Sequence, residues 1–162
     1  MTDAATQENQ PVYSIEKIYV KDLSLEVPNA PQIFLEREAP AVDVQLRHGS
    51  RNVDEGVYQT ELTITITAKI GEKTMFLVEA CQAGIFAIRN IPNQDLEPIL
   101  AIGNPNILYP YARETISSAI VNAGFPPVML NPVNFEALYQ AQKAQDAQAA
   151  AAAPADTPAV TH

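Results

Sequence analysis

Cysteine is almost absent from this 162-residue chain. Cys81 stands alone, so no intramolecular disulfide can form and a reducing compartment is expected. A CxxC metal pair is ruled out by the same count, and no metal site is expected. Tryptophan is missing. Histidine is limited to His48, in a polar stretch, and His162, the final residue, which leaves little for a Ser-His-Asp arrangement. Basic residues are scarce: 10 Lys and Arg against 19 Asp and Glu, a net charge of −9. A phosphate backbone needs a basic field, so nucleic acid is not an expected partner, whereas basic protein segments are. Gly71 and Gly84 are isolated, so there is no Gly-rich phosphate loop. No run approaches the roughly 20 apolar residues that span a bilayer. Met1 to Gln10 lacks the basic-then-apolar order of a secretory signal. The expectation is a cytoplasmic protein with no direct membrane insertion.

What is present is a strong period of two. From Val57 to Ile70, Tyr58, Thr60, Leu62, Ile64, Ile66, Ala68 and Ile70 alternate with Gln59, Glu61, Thr63, Thr65, Thr67 and Lys69, the pattern of a half-buried strand. Gly71-Glu72-Lys73 predicts a three-residue loop with Ile70 facing Thr74, and Thr74 to Ile88 reads as the return strand. That register puts Phe76 and Val78 with Leu62, Ile64 and Ile66 on the core side. It puts Leu77 and Glu79 outside with Thr63 and Thr65. A two-residue loop would swap the faces of the return strand.

Before this hairpin, residues 1–11 read as a disordered tail. Val12 to Val27 reads as a long strand, with Tyr13, Ile15, Tyr19, Leu23, Leu25 and Val27 on one face and Glu16, Ile18, Val20, Asp22, Ser24 and Glu26 on the other. Pro28 and Pro31 end it. Gln32 to Ala41 is a Pro-bounded connection carrying Ile33, Phe34 and Leu35; a loop of that kind is usually functional or packed on an apolar surface. Val42, Val44 and Leu46 form a short strand, and His48 to Gly56 a polar turn. After Ile88, a short helix is expected over Asp95 to Ile102, ended by Gly103-Asn104-Pro105-Asn106. Pro110 then suits the first position of a helix over Tyr111 to Ala123, closed by Gly124. Ala112, Ile116, Ala119, Ile120 and Ala123 share its apolar face. Thr115, Ser118 and Asn122 form a small polar face suited to a subunit contact. Asn131 or Asn134 caps a last helix with Phe135, Leu138 and Tyr139 as its stripe. Residues 12–143 thus make one domain, and 144–162 an Ala-rich, Pro-interrupted segment that reads as a fraying helix at first and a mobile tail beyond. No catalytic constellation emerges. Asp22 or Glu79 would need a closed, desolvated pocket to act as a base, and both fall on a face expected to be open. The residues point to a binding protein rather than an enzyme, without a cofactor.

Several separate motifs resemble the SecB protein-export chaperones: Pro105-Asn106-Ile107-Leu108-Tyr109-Pro110-Tyr111-Ala112-Arg113-Glu114, the strand end from Lys21 to Pro31, Gly84-Ile85-Phe86, and Pro132 to Leu138. The resemblance runs in order from about Tyr13 to Tyr139. It implies an α+β fold, a four-stranded antiparallel sheet with helices packed on one face, assembled as a dimer of dimers. It implies an ATP-independent cytoplasmic holdase of Gram-negative bacteria that keeps precursor proteins unfolded and delivers them to the SecA motor. By resemblance, Asp22, Glu26, Leu77 and Glu79 are the SecA-docking residues, and Phe76, Val78, Ala80 and Gln82 affect tetramer assembly. The family's client groove would lie near Leu25, Val27, Phe34, Phe125 and Phe135. The alternatives are a SecB-like chaperone dedicated to one client, such as a toxin–antitoxin system, and a small α+β ligand-binding protein.

Overall fold

The computed structural model describes residues 9–152. Four strands form one antiparallel sheet: β1 (Val12–Glu26), β2 (Ala41–Asp54), β3 (Val57–Ile70) and β4 (Lys73–Arg89), in the spatial order β1-β4-β3-β2. A 3₁₀ turn, Gln32–Leu35, lies between β1 and β2. After the sheet come α1 (Asn93–Pro98), a π turn (Ile99–Gly103), α2 (Asn104–Asn122) and α3 (Phe135–Ala152). The core lies between the helices and one face of the sheet. Leu62, Ile64, Ile66, Phe76, Val78, Ala80 and Phe86 from the sheet meet Leu108, Ala112, Ile116 and Ile120 from α2.

The central hairpin has the expected core register: Ile66 pairs with Val78, Ile64 with Ala80, and Ala68 with Phe76. Its turn differs. The loop has two residues, Gly71 and Glu72, and Ile70 pairs with Lys73 instead of facing Thr74. A register shift between Ala68 and Lys69 leaves Met75 as an extra residue on β4. That bulge reverses the parity change of the shorter loop, so both strands keep their apolar sets on one face.

β1 departs from simple alternation for the same reason. Register shifts fall between Ile15 and Lys17 and between Val20 and Asp22, leaving Glu16 and Lys21 as extra residues. Ile18 therefore lies opposite Gly84 and Val20 opposite Gln82, on the helix-covered face, while Tyr19 lies opposite Ala83 on the outer one. The expected single alternation from Val12 to Val27 holds only at the two ends of the strand.

β2 is longer than the sequence suggests. His48 to Asp54 is strand, not turn, because Arg47, His48, Ser50 and Arg51 all find partners on β3. The two-residue turn is instead Glu55-Gly56, with Gly56 at φ 64°.

Gly103-Asn104-Pro105-Asn106 does not end a helix. The chain stays helical from Asn93 to Asn122, and Pro110 lies inside α2 rather than at its first turn. In the π turn the Asn104 N–H donates to Ile99 O, five residues back, so the ladder widens just before Pro105. Buried Asn104 ties this point to the sheet: its Nδ2 donates to Thr60 Oγ1 at 2.9 Å, and its Oδ1 accepts from Tyr13 at 2.6 Å. Gly124 closes α2 as expected, at φ 93°, with the Phe125 N–H donating to Ile120 O. Asn134 Oδ1 caps α3 by accepting from the Ala137 N–H at 2.9 Å. α3 runs on to Ala152, into the segment expected to start as a fraying helix; residues 153–162 and 1–8 lie outside the described residues.

Candidate functional site

Two surfaces stand out, one on each side of the sheet. On the helix-covered side, an apolar cleft of about 560 Å³ opens where β2 meets the segment before α3. Val42, Val44 and Leu46 line one wall, Met129, Leu130 and Leu138 the other. Each part follows from local sequence. β2 is an edge strand, so its inward Val42 and Val44 have no strand beyond them and stay 44% and 46% exposed. The run from Pro126 to Pro132 forms neither helix nor strand, and its residues from Val128 on line the cleft. Met129 is 80% exposed. The Tyr109 hydroxyl fixes this segment by donating to Asn131 O, and burial raises the pKa of that phenol.

Phe135, 1% exposed, is the sole buried residue of α3 among those described, and it anchors the helix. Its ring stands edge-on to His48 at 5.8 Å and to Tyr109 at 6.0 Å. Burial lowers the pKa of His48. Further along α3 the attachment is a surface pair, Lys143 Nζ to Glu97 Oε2 at 3.2 Å.

The residues expected near a groove do not form one continuous lining. Phe34 stacks on Phe125 at 5.0 Å, and Phe125 packs on Phe76 at 5.1 Å. Leu25 and Val27 pack partly buried against the core, Leu25 opposite Val78. Phe135 belongs with His48, whose sheet partners reach Gln82 rather than Phe76, about 20 Å further along the strands. The cleft residues Val42, Val44 and Met129 were missing from that expectation. Alternation at Val42 and Val44 was visible, but nothing in the sequence says that β2 is an edge.

The opposite sheet face carries no helix. Register places the four expected docking residues together on it: Glu26 opposite Leu77, Ser24 opposite Glu79, and Asp22 opposite Cys81. Asp22 and Glu26 are exposed, and Leu77 and Glu79 half-buried. Glu79 accepts from Thr65 Oγ1 at 2.7 Å and stands 3.8 Å from Arg47. Lys21 pairs with Glu61, and that hydrogen bond raises the lysine pKa.

Phe76, Val78, Ala80 and Gln82 lie inside the subunit, at most 3% exposed. Gln82 Oε1 accepts from Thr115 of α2 at 3.3 Å. These four therefore support the seat of α2 rather than presenting a surface. Apolar side chains are exposed instead on β1 and α2, among them Ile15, Val20, Leu23, Tyr111 and Val121. Among the described residues no group of three His, Cys, Asp or Glu side chains could hold a metal ion, and no helix is long and apolar enough to cross a membrane.

A four-stranded antiparallel sheet, helices on one face and an open apolar cleft at its edge define an α+β protein. Residues 6–146 match the family model described as preprotein translocase subunit SecB, and the chain belongs to the SecB family of protein-export chaperones. It is 63% identical to the protein-export protein SecB of Chromobacterium violaceum over 143 residues, 88% of this chain and 95% of that one. Identity to that of Aromatoleum aromaticum is 65% over 144 residues, covering 88% and 90%. For Neisseria meningitidis SecB it is 55% over 148 residues, covering 91% and 99%. Among solved structures, the Mycobacterium tuberculosis SecB-like chaperone Rv1957, in complex with a ChAD peptide from the HigA1 antitoxin Rv1956, shares the fold with a TM-score of 0.62 at 15% identity, covering 75% of this chain and 90% of that one.

Proposed function

We propose that this chain is an ATP-independent cytoplasmic holdase that captures unfolded precursor proteins and passes them to the SecA motor, working as a tetramer built from two dimers. The observation that carries this reading is the cleft beside β2, an apolar lining left open to solvent and floored by rigid sheet. A folded protein hides its apolar segments, so such a surface selects chains that have not folded. A wide apolar lining with the unbranched, adaptable side chain of Met129 exposed on it tolerates many sequences. Several clefts on one assembly engaging one long client raise avidity without strong single contacts.

The carboxylates Asp22, Glu26 and Glu79, with Leu77 among them, suit a basic patch on the motor, and this contact weakens with salt. The apolar residues on β1 and α2 suit burial against further copies of the chain. The deciding experiment is aggregation of a slow-folding precursor without ATP. Suppression at stoichiometric chaperone supports the reading; unchanged aggregation ends it.

A further inference from the structure

The outer sheet face is not evenly acidic. Strand pairing arranges it in rows, each holding one residue from every strand. Asp43, Thr67, Leu77 and Glu26 form one row; the next holds Gln45, Thr65, Glu79 and Ser24; the next Arg47, Thr63, Cys81 and Asp22. Two rows further on stand Arg51, Gln59, Ile85 and Lys17. Apart from Arg47, 3.8 Å from Glu79, negative charge predominates in those three rows, whereas Arg51 and Lys17 carry positive charge two rows on, with Asp54 beyond them. The Arg51 row lies about 20 Å along the strands from Glu79 and about 13 Å from Asp22. The row between them offers no free charge: Glu61 is engaged by Lys21 and by the Cys81 thiol at 3.8 Å, and Ala83 is sealed. At physiological ionic strength the screening length is about 8 Å, so the two ends act separately.

Arg51 is held in place. Its Nε donates to Gln59 Oε1 at 2.7 Å, Gln59 is 5% exposed, and the Gln59 Nε2 donates to Tyr19. The terminal guanidinium nitrogens have no hydrogen-bond partner among the described residues. Beside it Gly49 leaves a notch, with nothing within 4 Å of where a Cβ would stand, in a cleft of about 320 Å³.

We infer that this face is a two-pole docking surface: its partner presents basic groups to Asp22, Glu26 and Glu79 and a carboxylate to Arg51 and Lys17. A fixed guanidinium costs little ordering on binding, and a partner with only basic charge would bury it unpaired. The second pole therefore sets the orientation of docking. The inference rests on the reading that this face meets the motor.

The test is titration of purified SecA against the full chain and its Arg51→Glu, Arg51→Gln and Glu79→Lys variants, with precursor holding as the control for fold. The two-pole surface requires Arg51→Glu to weaken docking about tenfold, the size of one charge-assisted hydrogen bond, with a smaller loss for Arg51→Gln. A surface that only attracts basic charge predicts the opposite sign, since Arg51→Glu adds negative charge. Unchanged or tighter docking by Arg51→Glu, with Glu79→Lys weakened, overturns the second pole and leaves the docking face standing. Docking unaffected by Glu79→Lys removes the docking face and the inference with it.

Discussion

Asn104 and Thr60 are both sealed from water and joined at 2.9 Å, linking the first residue of α2 to the first part of β3. The link continues in both directions, to Tyr13 on β1 and to Ser50 on β2, whose Oγ lies 2.7 Å from Thr60 Oγ1 and 3.3 Å from Leu100 O in the π turn. One buried amide thus ties three strands to the helical connection. Asn104→Leu removes both bonds, though Thr60 keeps Ser50 and Tyr13, 41% exposed, can turn to water. The expected cost is about 1–2 kcal/mol, from the two lost hydrogen bonds. It is measured as a lower urea midpoint with an unchanged slope; a shift below about 0.5 kcal/mol, typical of a surface change, contradicts the role.

Gly84 on β4 lies directly beneath Leu108 of α2 and the ring of Phe86. A Cβ there would lie 2.7 Å from the Phe86 ring and 3.0 Å from Leu108 Cδ2. Neither side chain is free to move, as both are fully buried. Gly84→Ala is expected to cost about 1–3 kcal/mol by overpacking, and Gly84→Val more. Denaturant unfolding of the two variants checks the order, and a neutral Gly84→Val would show that α2 can lift off β4.

The extent to which this was legible in the sequence depended on whether the chain marks its irregularities. β3 and the core set of β4 were plain because Ile, Leu and Thr alternate without interruption. The bulges at Glu16, Lys21 and Met75 leave no such mark, since one extra residue looks like ordinary sequence until its partner strand is known. That is why Ile18 and Tyr19 were assigned to the wrong faces. Asp22 and Glu26 lie beyond both bulges of β1, whose parity changes cancel, so they reached the outer face as the resemblance implied. Asn104 between Gly103 and Pro105 looked like a helix stop because local propensity favours a break there. Tertiary bonds to Thr60 and Tyr13, with the wider turn before Pro105, overrode it. The cleft was hidden because strand order, not strand pattern, makes β2 an edge.

Stability should depend on pH through His48. Burial lowers its folded-state pKa below the usual 6.5. The folded chain then binds fewer protons than the unfolded one between that lowered value and 6.5. Stability is therefore full above about pH 6.5 and falls as pH drops through that window. Acid also affects carboxylates, so the comparison is with His48→Gln, which lacks this titration. The urea midpoint of the parent should fall more between pH 7.5 and 5.5 than that of the variant. Equal falls would mean that the imidazole is solvated next to Phe135.

Charge placed in the open cleft separates client binding from folding. Val44→Asp and Met129→Asp sit where side chains already meet water. Each should cost within about 1 kcal/mol of stability yet weaken precursor holding several-fold, since an apolar segment would desolvate the new carboxylate. Ile64→Asp, in contrast, places a charge at 1% exposure and should unfold the chain. Aggregation assays alongside thermal melts distinguish these outcomes, and full holding by both cleft variants would move the client surface elsewhere.

Assembly gives the last contrast. Val78 has no exposed surface, so Val78→Asp would disturb a tetramer only by damaging the subunit itself. Tyr111, half exposed on α2 near Val20 and Pro110, is available to a second copy. Tyr111→Asp should therefore leave the helix content and the melting of the subunit intact while light scattering reports a smaller species. Val78→Asp should lose secondary structure and size together. If the proposed tetramer survives Tyr111→Asp while Val20→Asp dissociates it, the contact runs along β1 alone. If both remain intact, the exposed apolar residues of β1 and α2 serve something other than subunit association.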